Sequence, residues 1–227
     1  MTILLFPYLD QWMTCQLETR AFLESNAEQL KQNHIELRKI KCEWDNFVTY
    51  KKVVDAVWGL DDLIVLEMDV VPTLEMIIKL AKCPEPICAQ DYKLNYAIFE
   101  NGRLSTPMRY EQRSSEGVLL DNDNDGRVGY WYKYKVVHDA VKFLPIDYDG
   151  QIRDRAQSIG FGLTKFSKQA QQMISGQNPN FFSSSNFGLD VTVNRWYNSN
   201  RSALPNGFHV HYPTAKHNHD VNESRMR

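Results

Sequence analysis

The chain of 227 residues is long enough to bury one core, and its 43% hydrophobic and 24% charged residues exclude a wholly disordered protein. Its 26 basic and 28 acidic residues give a formal net charge of −2, so no broad positive field is present to bind a nucleic-acid backbone. No apolar stretch approaches the roughly 20 residues that cross a bilayer, and the N-terminus lacks the pattern of a secretory signal. The sequence therefore predicts a cytoplasmic protein with no transmembrane segment and no nucleic-acid partner.

Strands and helices are predicted to alternate over about the first 90 residues. Short apolar runs predict strands over residues 2–6, 63–66 and 86–89. Alternating apolar positions over 35–42 predict another strand, which ends near Trp44. Helical spacing of apolar residues, together with capping and breaking residues, predicts helices over residues 17–32, 45–59 and 73–81. This alternation is typical of an α/β fold in which helices cover both faces of a parallel sheet.

The remainder of the chain has weaker periodicity. Residues 102–150 combine short aromatic strands, such as 130–134, with polar turns. Further elements are expected as helices from about Thr164 to Ile174 and from about Val191 to Tyr197, and as a last strand over 208–212. We expect one domain over residues 1–227, with a frayed polar end at 218–227.

Two carboxylates follow the third predicted strand. Glu67 and Asp69 come just after the apolar run 63–66, and ligands of an open parallel sheet bind at the carboxyl ends of its strands. In extended backbone the two side chains point to the same side, where both can face one Mg²⁺ or Mn²⁺ ion. The alternative is that one carboxylate caps the helix beginning near Pro72 while the other is solvated.

The segment Val65–Pro72 resembles the DxD region of GT-A glycosyltransferases, which ends a central strand and is often followed by an apolar residue and proline. Glu67 stands at the first acidic position and keeps the carboxylate with a longer reach. The resemblance covers residues 1–95 and 155–217. It implies a GT-A fold with a mostly parallel sheet, in which residues 1–95 bind a nucleotide sugar and a divalent metal ion and residues 96–217 form the acceptor side. The small size also resembles compact glycosyltransferases encoded by some viruses of archaea and by other microbes, which implies the host cytoplasm for a viral member.

A second part of the resemblance lies downstream. Residues 159–168 are similar to the glycine-containing strand and basic helix start that follow the acceptor region in many such enzymes, and residues 187–196 stand where those families place an acidic motif that opens a helix. Leu189 replaces the first carboxylate of that motif, which leaves Asp190. The resemblance implies that Asp190 takes the proton from an acceptor hydroxyl in an inverting displacement. The other interpretation is that Asp190 is an ordinary helix N-cap, and both roles are compatible.

The C-terminal region holds four of the six histidines: His209, His211, His217 and His219. His209 and His211 lie on one face of the last predicted strand, and imidazole is a common ligand of transition metals. GT-A enzymes often use a histidine near the C-terminus to complete the metal shell, so the resemblance implies metal-binding roles for these two residues ahead of His217. It also implies a phosphate contact for Lys216. The alternative is that the histidines are only solvated.

Two aromatic residues, Tyr8 and Trp44, follow the first two predicted strands. A nucleotide base would rest there in this fold, so each ring is a candidate for stacking on the base. Either ring can instead pack on a helix.

Two other patterns receive no functional role. The four cysteines, Cys15, Cys42, Cys83 and Cys88, match no zinc-binding spacing. Cys83 and Cys88 could pair, but buried free thiols are expected in a reducing compartment. Residues 121–126 are similar to the start of an EF-hand calcium loop, but Tyr132 stands where the bidentate Glu is required, so a polar turn is expected.

The sequence thus predicts a metal-dependent glycosyltransferase that moves a hexose from a nucleotide-diphosphate sugar to a hydroxyl of a glycan, lipid or protein acceptor. One alternative is a binding or structural protein of GT-A shape without turnover. Another is a metal-dependent nucleotidyltransferase, because an acidic pair after a strand also serves phosphoryl chemistry. That enzyme would normally need a glycine-rich basic loop after the first strand, and residues 7–10 do not form one.

Overall fold

The structure, a computed structural model, describes residues 1–9, 13–42, 47–92, 98–100, 103–105, 141–143, 155–183, 188–205 and 207–217. Within these ranges no helix is both long and apolar enough to span a bilayer. Several predictions lie outside the described residues: the polar turn at 121–126, the aromatic strand at 130–134, the frayed end at 218–227, and the residues Trp44 and His219.

The described chain alternates strands and helices. The first part contains β1 (Thr2–Tyr8), α1 (Met13–Ser25), α2 (Ala27–Gln32), β2 (Ile35–Lys41), α3 (Phe47–Asp55), β3 (Asp62–Leu66), β4 (Val70–Val71), α4 (Leu74–Lys82) and β5 (Ile87–Tyr92). The later part contains β6 (Ile98–Glu100), β7 (Arg103–Ser105), β8 (Val141–Phe143), β9 (Arg155–Ile159), β10 (Leu163–Phe166), α5 (Lys168–Gln177), α6 (Leu189–Ser199), a 3₁₀ turn (Arg201–Ala203) and β11 (Phe208–His217). The predicted α/β class is confirmed.

One sheet organises the fold. Its strands lie in the order β2-β1-β3-β10-β5-β11-β9-β8, and β4 pairs with the far end of β11, while β6 and β7 form a separate antiparallel pair. The pairs β1–β2, β1–β3 and β5–β11 are parallel, whereas β10 runs antiparallel to both β3 and β5. The six strands from β2 to β11 are therefore mostly parallel, with β10 as the reversed strand.

The prediction of a helix from Thr164 is wrong in its first turn, because Leu163–Phe166 forms β10 at the centre of the sheet. All four side chains of this strand are buried. The helix α5 begins only after Ser167, whose hydroxyl oxygen accepts a hydrogen bond from the backbone N–H of Ala170 at 3.1 Å. Thr164 and Lys165 interrupt the apolar pattern, so the strand is fixed by pairing on both of its edges rather than by a local signal.

The predicted helix over residues 17–32 is interrupted near its middle. α1 ends at Ser25 and α2 begins at Ala27. Between them, the side-chain amide of Asn26 donates a hydrogen bond to the carbonyl of Phe22 at 2.8 Å. Short polar side chains that bond nearby backbone groups weaken a helix interior, which explains the break at this residue.

Both faces of the sheet are covered at its centre, as adjacent residues of β10 demonstrate. The ring of Phe166 packs against Trp58, with ring centroids 5.3 Å apart, and Trp58 Nε1 donates to Ser175 of α5 at 3.0 Å. Lys165 points to the other face, because side chains alternate along a strand, and its buried ammonium donates to the carbonyl of Cys83 at the end of α4. Helical segments therefore flank the sheet on both sides.

Candidate functional site

Glu67 lies where β3 ends, at the carboxyl edge of the sheet. Its backbone N–H donates to the carbonyl of Gly162 at 2.9 Å, which extends the β3–β10 pairing by one residue. The next two residues, Met68 and Asp69, form a turn, and the N–H of Val70 donates back to the Glu67 carbonyl at 3.2 Å. The expectation of extended backbone from Glu67 to Asp69 is wrong, because this turn redirects the chain into β4.

Neither of these carboxylates caps α4. The N-cap is Thr73, whose hydroxyl oxygen accepts a hydrogen bond from the backbone N–H of Met76 at 3.3 Å. The capping alternative for Glu67 and Asp69 is therefore excluded. Both side chains are half-buried at the carboxyl edge of the sheet.

Asp190 lies in the first turn of α6, and Gly188 is the N-cap, so the capping interpretation of Asp190 is also wrong. Asn194, one turn further along the same helix face, binds the backbone of Ile159 twice: its side-chain amide donates to the carbonyl at 2.8 Å and accepts from the N–H at 3.0 Å. Ile159 ends β9, and the short link from β9 to β10 also bonds to Glu67. These contacts hold the start of α6 near the end of β3.

The carboxylates of Glu67, Asp69 and Asp190 lie close enough for their charges to interact. The pKa of Glu67 is raised to about 8, because burial removes water from its carboxyl group and because Asp69 and Asp190 place negative charge beside it. The hydroxyl of Tyr50, on α3, donates to Glu67 Oε1 at 3.4 Å and opposes this rise. The fold thus brings Asp190, from a distant part of the chain, into electrostatic range of Glu67 in the turn that also carries Asp69.

The end of β11 runs beside this acidic turn. The antiparallel pairing of β11 with β4 places His217 opposite Val70, with Lys216 next to it. Because Val70 directly follows Asp69, the backbone of this pair adjoins the carboxylate turn. The exposed ammonium of Lys216 forms an ion pair with Glu18 of α1.

His209 and His211 do not lie with the carboxylates. Their ring centroids are 4.4 Å apart, and Cys83 at the end of α4 lies beside them. The strands β3, β10, β5 and β11 are successive neighbours, so about 14 Å of sheet separates β3 from β11 at a strand spacing of about 4.8 Å. Among the described residues, Cys83, His209 and His211 are the one group of three whose possible ligand atoms all lie within 4.8 Å of one another. The predicted metal ligands are thus divided, with Glu67 and Asp69 in one place and the two histidines in another.

Tyr8 ends β1 at the same edge of the sheet as Glu67, because β1 and β3 are parallel neighbours. The guanidinium of Arg20, on α1, covers one face of the half-buried Tyr8 ring at 4.8 Å from its centroid. A cavity of about 280 Å³ opens beside the ring, and Lys39 adds a second basic side chain to its lining. Tyr8 therefore packs on a helix and also borders a cavity, while Trp44 lies outside the described residues.

A larger cavity, of about 470 Å³, lies between α3 and the segment that follows α5. Lys51 and Lys52 contribute to its lining, and burial lowers the pKa of Lys51. Its described lining includes none of the three carboxylates, so we assign this cavity no part in the acidic site.

Glu67 and Asp69 offer oxygen donors of the type that suits a hard divalent cation. Carboxylate oxygens are the protein ligands that Mg²⁺ and Mn²⁺ prefer. Burial is the main reason that the pKa of Glu67 is raised, and the negative charges of Asp69 and Asp190 add to it. Glu67 and Asp69 are the residues that would hold such a cation. The sulfur and imidazole donors of Cys83, His209 and His211 suit a softer transition metal instead.

Two residues of these groups are missed by the sequence-based predictions. Tyr50 belongs to an ordinary helical stripe, and no local pattern indicates that its hydroxyl reaches Glu67. Cys83 has a usable signal, because a Cys pair and a His-x-His pair together supply the donors of a transition-metal site. The two pairs lie far apart in the chain, and only the pairing of β5 with β11 brings them together.

No protein-family model matches the chain, and a search of curated protein sequences gives no significant match. The class that the structure defines is an α/β protein with a mostly parallel sheet flanked by helices. Conclusions about activity therefore depend on the site geometry.

Proposed function

We propose that the chain is a metal-dependent glycosyltransferase of GT-A type that transfers a sugar from a nucleotide-diphosphate donor to an acceptor hydroxyl with inversion. The observation that carries the proposal is the position of Glu67 and Asp69 at the carboxyl edge of a mostly parallel sheet, with Asp190 near enough to act on the charge of Glu67. Ligands of open α/β sheets bind at that edge. A glycosyl transfer needs carboxylates in two roles, one to hold the cation of the donor and one to remove the proton of the acceptor.

Glu67 and Asp69 would hold Mn²⁺ or Mg²⁺. Two protein carboxylates are enough for this purpose, because oxygens of the donor diphosphate would complete the shell. The bound cation would neutralise negative charge on the departing diphosphate. In the metal-free chain, the raised pKa of Glu67 and its hydrogen bond from Tyr50 limit the repulsion among the three carboxylates.

Asp190 would act as the general base. Its carboxylate takes the proton of the acceptor hydroxyl while that oxygen bonds to the anomeric carbon and the bond from this carbon to the diphosphate oxygen breaks. Asp190 lies in the first turn of α6, where the partial positive charge of the helix N-terminus suits a carboxylate. The two bonds between Asn194 and Ile159 keep this turn in position.

Other residues would bind the donor. Lys216 carries an exposed ammonium on the strand that adjoins the acidic turn, and an ammonium is a good partner for diphosphate oxygens. Tyr8 borders a cavity at the same edge of the sheet and would contact the base, with Trp44 as the second aromatic candidate. Residues 96–154 would form most of the acceptor side, for a glycan, lipid or protein acceptor in the cytoplasm.

The proposal is tested by incubating the chain with UDP-, GDP- and dTDP-sugars and identifying the products. With Mn²⁺ present, we expect release of nucleoside diphosphate from at least one donor, since slow transfer to water needs no added acceptor. Asp69→Ala should abolish this release. Release of nucleoside monophosphate or pyrophosphate would indicate a nucleotidyltransferase instead, and binding without turnover would indicate a binding protein.

A further inference from the structure

A second cluster, separate from the carboxylates, joins the end of α4 to β11. Cys83 Sγ lies 3.3 Å from His209 Nδ1, and this sulfur and one nitrogen from each of His209 and His211 lie within 4.8 Å of one another. Cys83 is 5% exposed and His211 is 6% exposed, so both are largely shielded from water. One sulfur and two imidazole nitrogens form a donor set that zinc prefers.

The fold positions these side chains through the pairing of two strands. β5 and β11 run parallel, with His209 opposite Cys88. Further along the same pair, the side-chain amide of Gln90 donates to the carbonyl of His211 at 2.9 Å. The short connection from α4 to β5 then places Cys83 against the two imidazoles. The arrangement therefore follows from the sheet and does not depend on an exposed loop.

One feature of the cluster indicates unused capacity to bind a ligand. His211 Nε2 is buried and has no hydrogen-bond partner among the described residues, a costly state for an imidazole nitrogen. The pKa of Cys83 lies well below its ordinary range, chiefly because the Cys88 thiol hydrogen-bonds to it. The same bond and burial raise the pKa of Cys88, so Cys88 keeps its proton.

We propose that Cys83, His209 and His211 form a binding site for a zinc-type divalent transition metal. One sulfur and two imidazole nitrogens supply three ligands and leave a fourth position for water or another donor. The Cys88 thiol orients the Cys83 sulfur by hydrogen bonding, as outer-shell groups do in metal sites. Mg²⁺ and Mn²⁺ are disfavoured here because they prefer oxygen donors.

A metal at this position would connect the end of α4 to β11. α4 begins just after the acidic turn, and the far end of β11 pairs with β4 beside that turn. Metal binding would therefore stabilise the folded chain and fix the positions of α4 and β11 next to the carboxylate turn. Binding would also release any proton that the ligands still hold, so affinity should fall at acid pH.

The test measures zinc binding by the full chain, purified with a reductant and then stripped with a chelator. We expect one Zn²⁺ per chain in competition with a chromophoric chelator, together with a higher melting temperature when zinc is added. Co²⁺ should give a thiolate-to-cobalt charge-transfer band and the strong visible absorption of a tetrahedral site. Cys83→Ser should weaken zinc binding by at least ~100-fold and remove the charge-transfer band.

Two control variants distinguish zinc binding at this cluster from binding at another buried cysteine and at the acidic site. Cys42→Ser should bind zinc as the parent does, because Cys42 is also a buried cysteine but follows β2. Asp69→Ala should likewise retain zinc, so failure of the glycosyltransferase proposal leaves this one standing.

Substoichiometric zinc in the parent, or parent-like zinc binding by Cys83→Ser, would overturn the proposal. So would a Cys83–Cys88 disulfide whose reduction leaves the chain unable to bind zinc. The stoichiometry of the parent decides the question even if Cys83→Ser fails to fold.

Discussion

The backbone of His217 lies opposite that of Val70 in the antiparallel pair of β11 and β4. Because Val70 directly follows Asp69, the end of β11 adjoins the carboxylate turn. Among the described histidines of the C-terminal region, His217 is the one whose backbone adjoins the carboxylate turn, while His209 and His211 lie three strands away from β3. Within the proposed function, His209 and His211 are therefore not ligands of the cation that Glu67 and Asp69 would hold. The same pairing places Lys216 at the edge of the site.

Replacing Lys216 tests its proposed contact with the donor diphosphate. We expect Lys216→Ala to weaken nucleotide-sugar binding about tenfold, with a smaller effect at high salt, because an ammonium–phosphate contact is lost. Its ion pair with Glu18 is exposed, so the free energy of unfolding should change by less than about 1 kcal/mol. Titration calorimetry measures the binding, and Lys31→Ala, at an exposed lysine of α2, is the control. Unchanged binding by Lys216→Ala would remove this residue from the site.

Glu67 should make the metal-free chain less stable as the pH rises. Its pKa is 4.5 in an unperturbed chain and about 8 in the folded one, so the folded state binds more protons than the unfolded state between these values. Stability is then lost as the pH rises through that window. In Glu67→Gln, the fall in the free energy of unfolding between pH 5 and 8 should be smaller than in the parent by about 1–2 kcal/mol. This figure is discounted because Glu67 is partly exposed to solvent.

Chemical denaturation at a series of pH values measures this effect. Glu75→Gln, at a carboxylate in the first turn of α4, serves as the control. If Glu67→Gln keeps the full pH dependence of the parent, Glu67 does not have the raised pKa that burial, Asp69 and Asp190 are expected to give it.

Asp190→Asn tests the general base. The amide keeps the size of the side chain but cannot take a proton, so we expect turnover with an acceptor to fall by roughly 10²–10⁴-fold. Donor binding should stay within about threefold of the parent, because Asp190 is not proposed as a ligand of the cation. Both kcat and the donor dissociation constant are measured for Asp190→Asn and for the parent. Parent-like turnover would show that another group removes the proton.

The assignment of Thr73 as the cap of α4 has its own test. Thr73→Ala removes the hydroxyl that accepts the N–H of Met76 and should cost about 1 kcal/mol in the free energy of unfolding. Mn²⁺-dependent binding of a nucleotide sugar should persist in this variant. Urea denaturation measures the loss, and no change in stability would reopen a capping role for a neighbouring carboxylate.

Sequence patterns predict the parts of the fold that are set locally. The apolar runs of β1 and β3 are buried on both faces, and Thr73 is a recognisable N-cap, so these elements appear where expected. β10 could not be found in this way, because Thr164 and Lys165 break its apolar pattern. Its identity depends on pairing with β3 and β5, which are distant in the chain.

The candidate site is likewise only partly predictable from local sequence patterns. Glu67 and Asp69 are predictable because they follow a strong strand signal. Their approach to Asp190 depends on the link between β9 and β10 and on the anchoring of α6, neither of which has a local signature. The histidines are placed by the register of β11 on β5, and His209 therefore meets Cys83 rather than the acidic turn.

The central claim is that Glu67 and Asp69 hold a divalent cation together with a nucleotide diphosphate. It is tested most directly by the melting temperature of the chain across UDP-, GDP- and dTDP-sugars, with and without Mn²⁺. We predict that at least one donor raises the melting temperature only when Mn²⁺ is present, that Asp69→Ala loses this response, and that Glu75→Gln keeps it. A parent stabilised by none of these donors, or an Asp69→Ala variant that responds as the parent does, would contradict the account.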